Sequence, residues 1–108
     1  MKRGEIWLVA GGVYASKPRP AVVPQDDRFG ATDAVTMCPL TTTDVSAPLL
    51  RMLVAADPIS FLDKASHAMV DKLTTARRSN VVRLTGSHSQ AQVVDRERLV
   101  TAFLGLAD

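Results

Sequence analysis

Cysteine is nearly missing from this 108-residue chain: Cys38 stands alone. One thiol excludes an internal disulfide and cannot by itself make a cysteine zinc site; set in an apolar run, it reads as buried and inert. Aromatic residues are scarce, at 5%. The core must therefore rest on Val, Leu, Ile and Ala, and there is little from which to build stacking platforms for unpaired bases. No stretch approaches the roughly 18 apolar residues needed to span a bilayer. Met1-Lys2-Arg3 leads straight into a strand pattern rather than the apolar region of a secretion signal. A soluble, cytoplasmic protein with no membrane attachment is expected. His67 and His88 lack partners at metal-ligand spacing, and there is no Gly-rich phosphate loop or paired-carboxylate motif. Neither a metal nor a cofactor is expected.

What is present is a series of short apolar runs separated by turn residues. Glu5–Val9 reads as a strand stopped by Gly11-Gly12, and Gly11 to Pro18 as a loop anchored by Tyr14. Pro20 to Val23, Ala34 to Leu40 and Leu49 to Val54 follow as strands, the last interrupted by Arg51. His67 to Thr75 is a fifth extended stretch with a bend, and Val81 to Leu84 a sixth, closed by Thr85-Gly86-Ser87. The period then changes. Leu99, Phe103 and Leu106 fall at i, i+4, i+7, which predicts an amphipathic helix with Asp95 at its N-cap. About six strands and one C-terminal helix predict a mostly β (α+β) fold, a small partly closed barrel in one domain over 1–108.

The chain is organised around Lys17-Pro18-Arg19-Pro20-Ala21-Val22-Val23-Pro24. Each proline fixes its own φ and holds the preceding residue extended, so the Arg19 backbone is restrained at the mouth of a strand. A planar cation held there suits recognition of a phosphate or carboxylate. Basic residues gather in two places: Lys2, Arg3, Lys17 and Arg19, then Arg77, Arg78 and Arg83. Arg19, with the hydroxyls of Thr41, Thr42 and Thr43 and with Asp71, fits cleavage of RNA by its own 2′-hydroxyl. That reaction needs a held phosphate and donors for the charge that develops on it, and a proton acceptor, for which Asp71 is the candidate. The structural alternatives are a solvated Arg, a Thr-rich turn and a strand-edge Asp.

Met1–Val9 followed by Arg19-Pro20-Ala21-Val22-Val23, and Cys38-Pro39-Leu40-Thr41-Thr42, resemble the MazF/PemK (Kid) toxins of type II toxin–antitoxin systems. The resemblance implies an SH3-like barrel, a homodimer, and a metal-independent, sequence-selective endoribonuclease. Such an enzyme cuts single-stranded RNA (mRNA, rRNA or tRNA), leaving 2′,3′-cyclic phosphate and 5′-hydroxyl ends. The family's catalytic Arg and Thr fall on Arg19 and Thr41, and an acidic residue implicated in some members falls on Asp71. Lys17, Thr42, Thr43, Lys72 and Arg77 become candidate substrate contacts. A partner is also implied: an antitoxin whose acidic, disordered tail folds into the dimer groove. Two features depart from the family: the short loop from Gly11 to Pro18, and Lys72 where Gln usually follows the acidic residue.

Two other functions compete. The gyrase-poisoning CcdB toxins share the barrel but use a C-terminal Trp, whereas the only Trp here is Trp7 in the first strand. A non-catalytic RNA-binding barrel would keep Arg19 but would call for more aromatic surface.

Overall fold

The computed structural model describes residues 1–10, 18–47 and 49–106. The expected loop from Gly11, with Tyr14 and Lys17, lies outside the described residues. Among those described, the strands are β1 (Glu5–Val9), β2 (Arg19–Val22), β3 (Ala34–Thr41), β4 (Arg51–Val54), β5 (Ser66–Met69), β6 (Thr74–Arg77) and β7 (Val81–Ser87). An α-helix, α1 (Gln90–Phe103), follows. All strand pairs are antiparallel, in the order β4-β5-β3-β2-β1-β7, and β6 also pairs with β3. The sheet is mostly antiparallel, open and barrel-like, as expected, with seven strands rather than six.

β3 is the spine of this arrangement. It carries β2 on one edge and β5 and β6 in succession on the other. Alternate side chains point to opposite faces, and here both faces are covered. Ile6, Val22, Cys38, Leu40, Met52 and Ala68 form one core, and Val9, Ala21, Val23, Val35, Met37 and Ala76 a second. That double burial explains why Val35-Thr36-Met37-Cys38-Pro39-Leu40 reads as a nearly continuous apolar run rather than an alternating one. Cys38 is wholly buried, and burial pushes its thiol pKa up to about 12, so it is inert as expected.

Three boundaries differ from the sequence expectation. The fifth stretch divides into β5 and β6 around a short 3-10 turn at Val70–Lys72. β7 runs on through Gly86 instead of stopping there, because a Cβ at Gly86 would land on the backbone carbonyl of Ser60. The helix starts at Ser89, not Asp95: Ser89 Oγ accepts from the Gln92 N–H at 3.2 Å, and Gln92 Oε1 accepts from the Ser89 N–H at 2.8 Å. This reciprocal capping box satisfies two amide donors that the first turn would otherwise leave unpaired.

Leu99 and Val100 press on the first core, whereas Phe103, Leu104 and Leu106 are exposed, so the expected stripe holds only over its first turn. A fully buried Leu or Val contributes about 1.5–3 kcal/mol. With two partly buried residues facing inward, a cap worth about 1 kcal/mol is a sizeable share of what fixes this helix. Arg3 and Glu97 form an ion pair that ties the N-terminal segment to it. None of the described helices is long and apolar enough to cross a membrane.

Candidate functional site

β2 opens on Arg19 and β3 closes on Thr41. Their ladder pairs Val22 with Cys38 and Ala21 with Pro39. Two residues further along the same register, Arg19 comes opposite Thr41. Residues opposed across an antiparallel pair share a face, with Cβ atoms about 5 Å apart. Both residues therefore stand at the same end of the sheet, on the same face. Val9 of β1 is the neighbour beyond Arg19, and His67 of β5 the neighbour beyond Thr41. His67, Thr41 and Arg19 thus form one row across three adjacent strands.

Arg19 is exposed and, among the described residues, has no carboxylate partner. Thr41 is half-buried. Its Oγ1 accepts from the Thr43 N–H at 3.1 Å, which orients the hydroxyl and leaves its own proton to donate outward. Together they offer a fixed cation and a neutral donor to one anionic group.

Behind this row, on the opposite face, lies a cavity of about 430 Å³ lined by Leu8, Pro20, Thr42, Lys64, Arg83 and Thr85, among others. Leu8 and Pro20 oppose each other in the β1–β2 register. They alternate with Val9 and Arg19 and so point the other way. The rim of the sheet therefore has Arg19 and Thr41 on one side and the Lys64 and Arg83 cations on the other. A chain of phosphates crossing that rim would meet Arg19 on one side and, on the other, two cations with one carboxylate, Asp63, beside them.

The remaining predicted residues divide. Thr42 lines the cavity, and Thr43 is held by Thr41 through its amide. Lys17 lies outside the described residues. Asp71 is not brought to Arg19 and Thr41: it sits in the 3-10 turn after β5, ion-paired with Arg51 of β4. The strand bends there, and the carboxylate turns to the nearest buried cation. Lys72, exposed at the end of that turn, goes with it. Arg77 pairs with Ala34, at the opposite end of β3 from Thr41. Seven residues of strand, about 23 Å, separate the two ends, so Arg77 belongs to a different surface, beside Asp33 and Arg78. His67, Lys64 and Arg83 are the additions. Register reveals His67 and Arg83, and the cavity lining reveals Lys64, since none stands near Arg19 or Thr41 in the chain.

Residues 2–104 match the family described as PemK-like, MazF-like toxin of type II toxin-antitoxin system. The probable endoribonuclease MazF of Mycolicibacterium smegmatis is 43% identical over 108 residues, which cover 99% of each chain. Endoribonuclease MazF9 of Mycobacterium tuberculosis is 28% identical, over 98% of each. Among solved structures, the Mycobacterium tuberculosis toxin MazF-mt6 superposes with a TM-score of 0.82 at 19% identity, over 96% of this chain and 99% of its own. A mycobacterial endoribonuclease in complex with its cognate antitoxin gives 0.80 at 20% identity, over 100% of this chain and 98% of its own. At these identities the structural matches speak for the fold.

Proposed function

The chain belongs to the PemK-like, MazF-like toxin family of type II toxin–antitoxin systems, and from that premise we propose that it cuts single-stranded RNA by transesterification at Arg19 and Thr41. Endoribonuclease activity rests on whole-length identity to a relative named for it. The observation that supports the chemistry is the β2–β3 register, Ala21 with Pro39 and Val22 with Cys38, which carried on by two residues brings Arg19 toward Thr41.

RNA brings its own nucleophile. The 2′-oxygen attacks the adjacent phosphorus, the bond to the 5′-oxygen breaks, and a 2′,3′-cyclic phosphate and a 5′-hydroxyl result. Arg19 grips the non-bridging oxygens through a charge-assisted fork. Thr41 donates to the oxygen on which charge accumulates, the position where a fixed donor has most effect. Lys64, Arg83 and Thr42 hold the neighbouring nucleotides. The exposed cations also suit an acidic antitoxin segment that competes with RNA for the rim. The active form is a cytoplasmic homodimer.

The test is incubation of purified protein with mixed-sequence RNA in EDTA, followed by analysis of the fragment ends. Cyclic-phosphate ends are expected, with Arg19→Ala slowing cleavage by about 10²–10³ and Thr41→Ala by less. Cleavage that requires added magnesium, or a full rate in Arg19→Ala, overturns the reading. Gyrase inhibition without RNA cleavage replaces it with the rival toxin class.

A further inference from the structure

Transesterification needs a group to take the 2′-proton, and neither Arg19 nor Asp71 serves. A guanidinium stays protonated at any working pH, and the Asp71 carboxylate is occupied by Arg51. We propose that His67 is the proton acceptor for the attacking 2′-hydroxyl. This inference rests on the nuclease reading above and completes it.

His67 is the cross-strand partner of Thr41, so its ring stands on the face that Thr41 and Arg19 share, with Thr41 in the middle. The imidazole is not tied into the fold. Its Nδ1 is buried with no hydrogen-bond partner among the described residues, and its Nε2 has only the Asp44 carboxylate, 3.8 Å away. That separation is too long for a hydrogen bond. The side chain is 21% exposed, so a substrate can reach it without the strand opening. Unlike His88, whose two ring nitrogens are both buried and unpartnered, His67 keeps Nε2 open to a substrate. Imidazole is also the side chain that ordinarily exchanges protons near neutral pH.

The step balances as follows. The proton on the 2′-oxygen passes to the ring as the bond from that oxygen to phosphorus forms. The bond from phosphorus to the 5′-oxygen breaks, and solvent water protonates the departing alkoxide. The imidazolium then returns its proton to the hydroxide left behind. Arg19 and Thr41 neutralise the phosphorane oxygens throughout. Among the described residues the charged group recorded beside the ring is the Asp44 carboxylate, on the loop after β3, and its β4 neighbour is the uncharged Leu53.

The test compares wild type, His67→Gln and His67→Ala on one cleavable RNA across pH 5–9, with thermal melts as folding controls. His67→Gln should lower kcat by about 10²–10⁴ with little change in KM. The acid limb of the wild-type rate profile should vanish with it. Added imidazole should restore part of the rate in His67→Ala but none in Arg19→Ala. If wild type cuts, Arg19→Ala does not, and folded His67→Gln keeps both rate and acid limb, the assignment of His67 fails while the nuclease reading stands. If wild type cuts no RNA, the nuclease reading fails first.

Discussion

Arg51 and Asp71 are paired across β4 and the turn after β5, with side chains only 10% and 23% exposed. Each answers the other's charge in a place where water does little of that work. Breaking such a pair by removing one partner leaves the second charge uncompensated. Asp71→Asn should therefore lower stability by about 1–3 kcal/mol in urea unfolding. Cleavage per folded molecule should change by only a few-fold. A folded Asp71→Asn that cuts no RNA would return this carboxylate to the chemistry.

Lys64 and Arg83 line the cavity behind Arg19. Replacing either with Ala should raise KM for RNA and leave kcat nearly unchanged. The slope of log binding constant against log salt should become shallower by about 0.7 for each phosphate that the variant no longer neutralises. Titration of binding between low and moderate salt reads this directly, and an unchanged slope would place the RNA elsewhere.

His88 is buried, and burial, aided by the Arg96 charge, lowers its pKa from 6.5 to about 4. The folded pKa lies below the unfolded one, so between about 4 and 6.5 the unfolded chain binds a proton that the native chain excludes. Stability should rise with pH through that window and fall on acidification, by about 3 kcal/mol in all. Urea midpoints measured from pH 4 to pH 7 should follow this curve, and His88→Phe should flatten it.

Arg96 is the largest wholly buried side chain, and its hydrogen bond to the Val23 carbonyl is a long one, 3.4 Å from Nη1. Nε and Nη2 have no partners among the described residues. A guanidinium so poorly paired under α1 costs more than an apolar side chain of similar volume. Arg96→Met should therefore stabilise the fold by about 1–4 kcal/mol. It should also make the acid loss of stability attributed to His88 smaller, since one depressing charge is gone and the folded pKa moves back toward the unfolded one. Thermal melts at two pH values check both effects.

Particular residues show what can be read from the chain. Arg19 and Thr41 are legible because each stands at the boundary of a strongly apolar β segment, where composition changes abruptly. Ser89-x-x-Gln92 is equally legible as a capping box, but the Leu99, Phe103, Leu106 spacing points to a later start at Asp95. The actual helix buries Arg96 and exposes Phe103. Asp71 eludes a strand-by-strand reading because a local bend diverts the side chain, and bends of this kind leave only a weak trace in period-two patterns. His67 has no local signature of its role. Its adjacency to Thr41 comes from pairing between segments far apart in the chain, which no short window contains. Gly86 looks like a stop signal, whereas the sheet needs it as the one residue small enough to pass the Ser60 backbone.

Because β3 braces three partners at once, its alignment cannot drift locally. Deleting one residue between Val35 and Leu40 would exchange inside for outside along the rest of the strand. Cys38 and Leu40 would be turned toward the space meant for Pro39 and Thr41, and both hydrophobic layers would lose their fit together with the reactive edge. Variants of this strand should therefore fail as a whole, losing shape and toxicity in the same step, while the far ends of β4 and β7 tolerate change one position at a time.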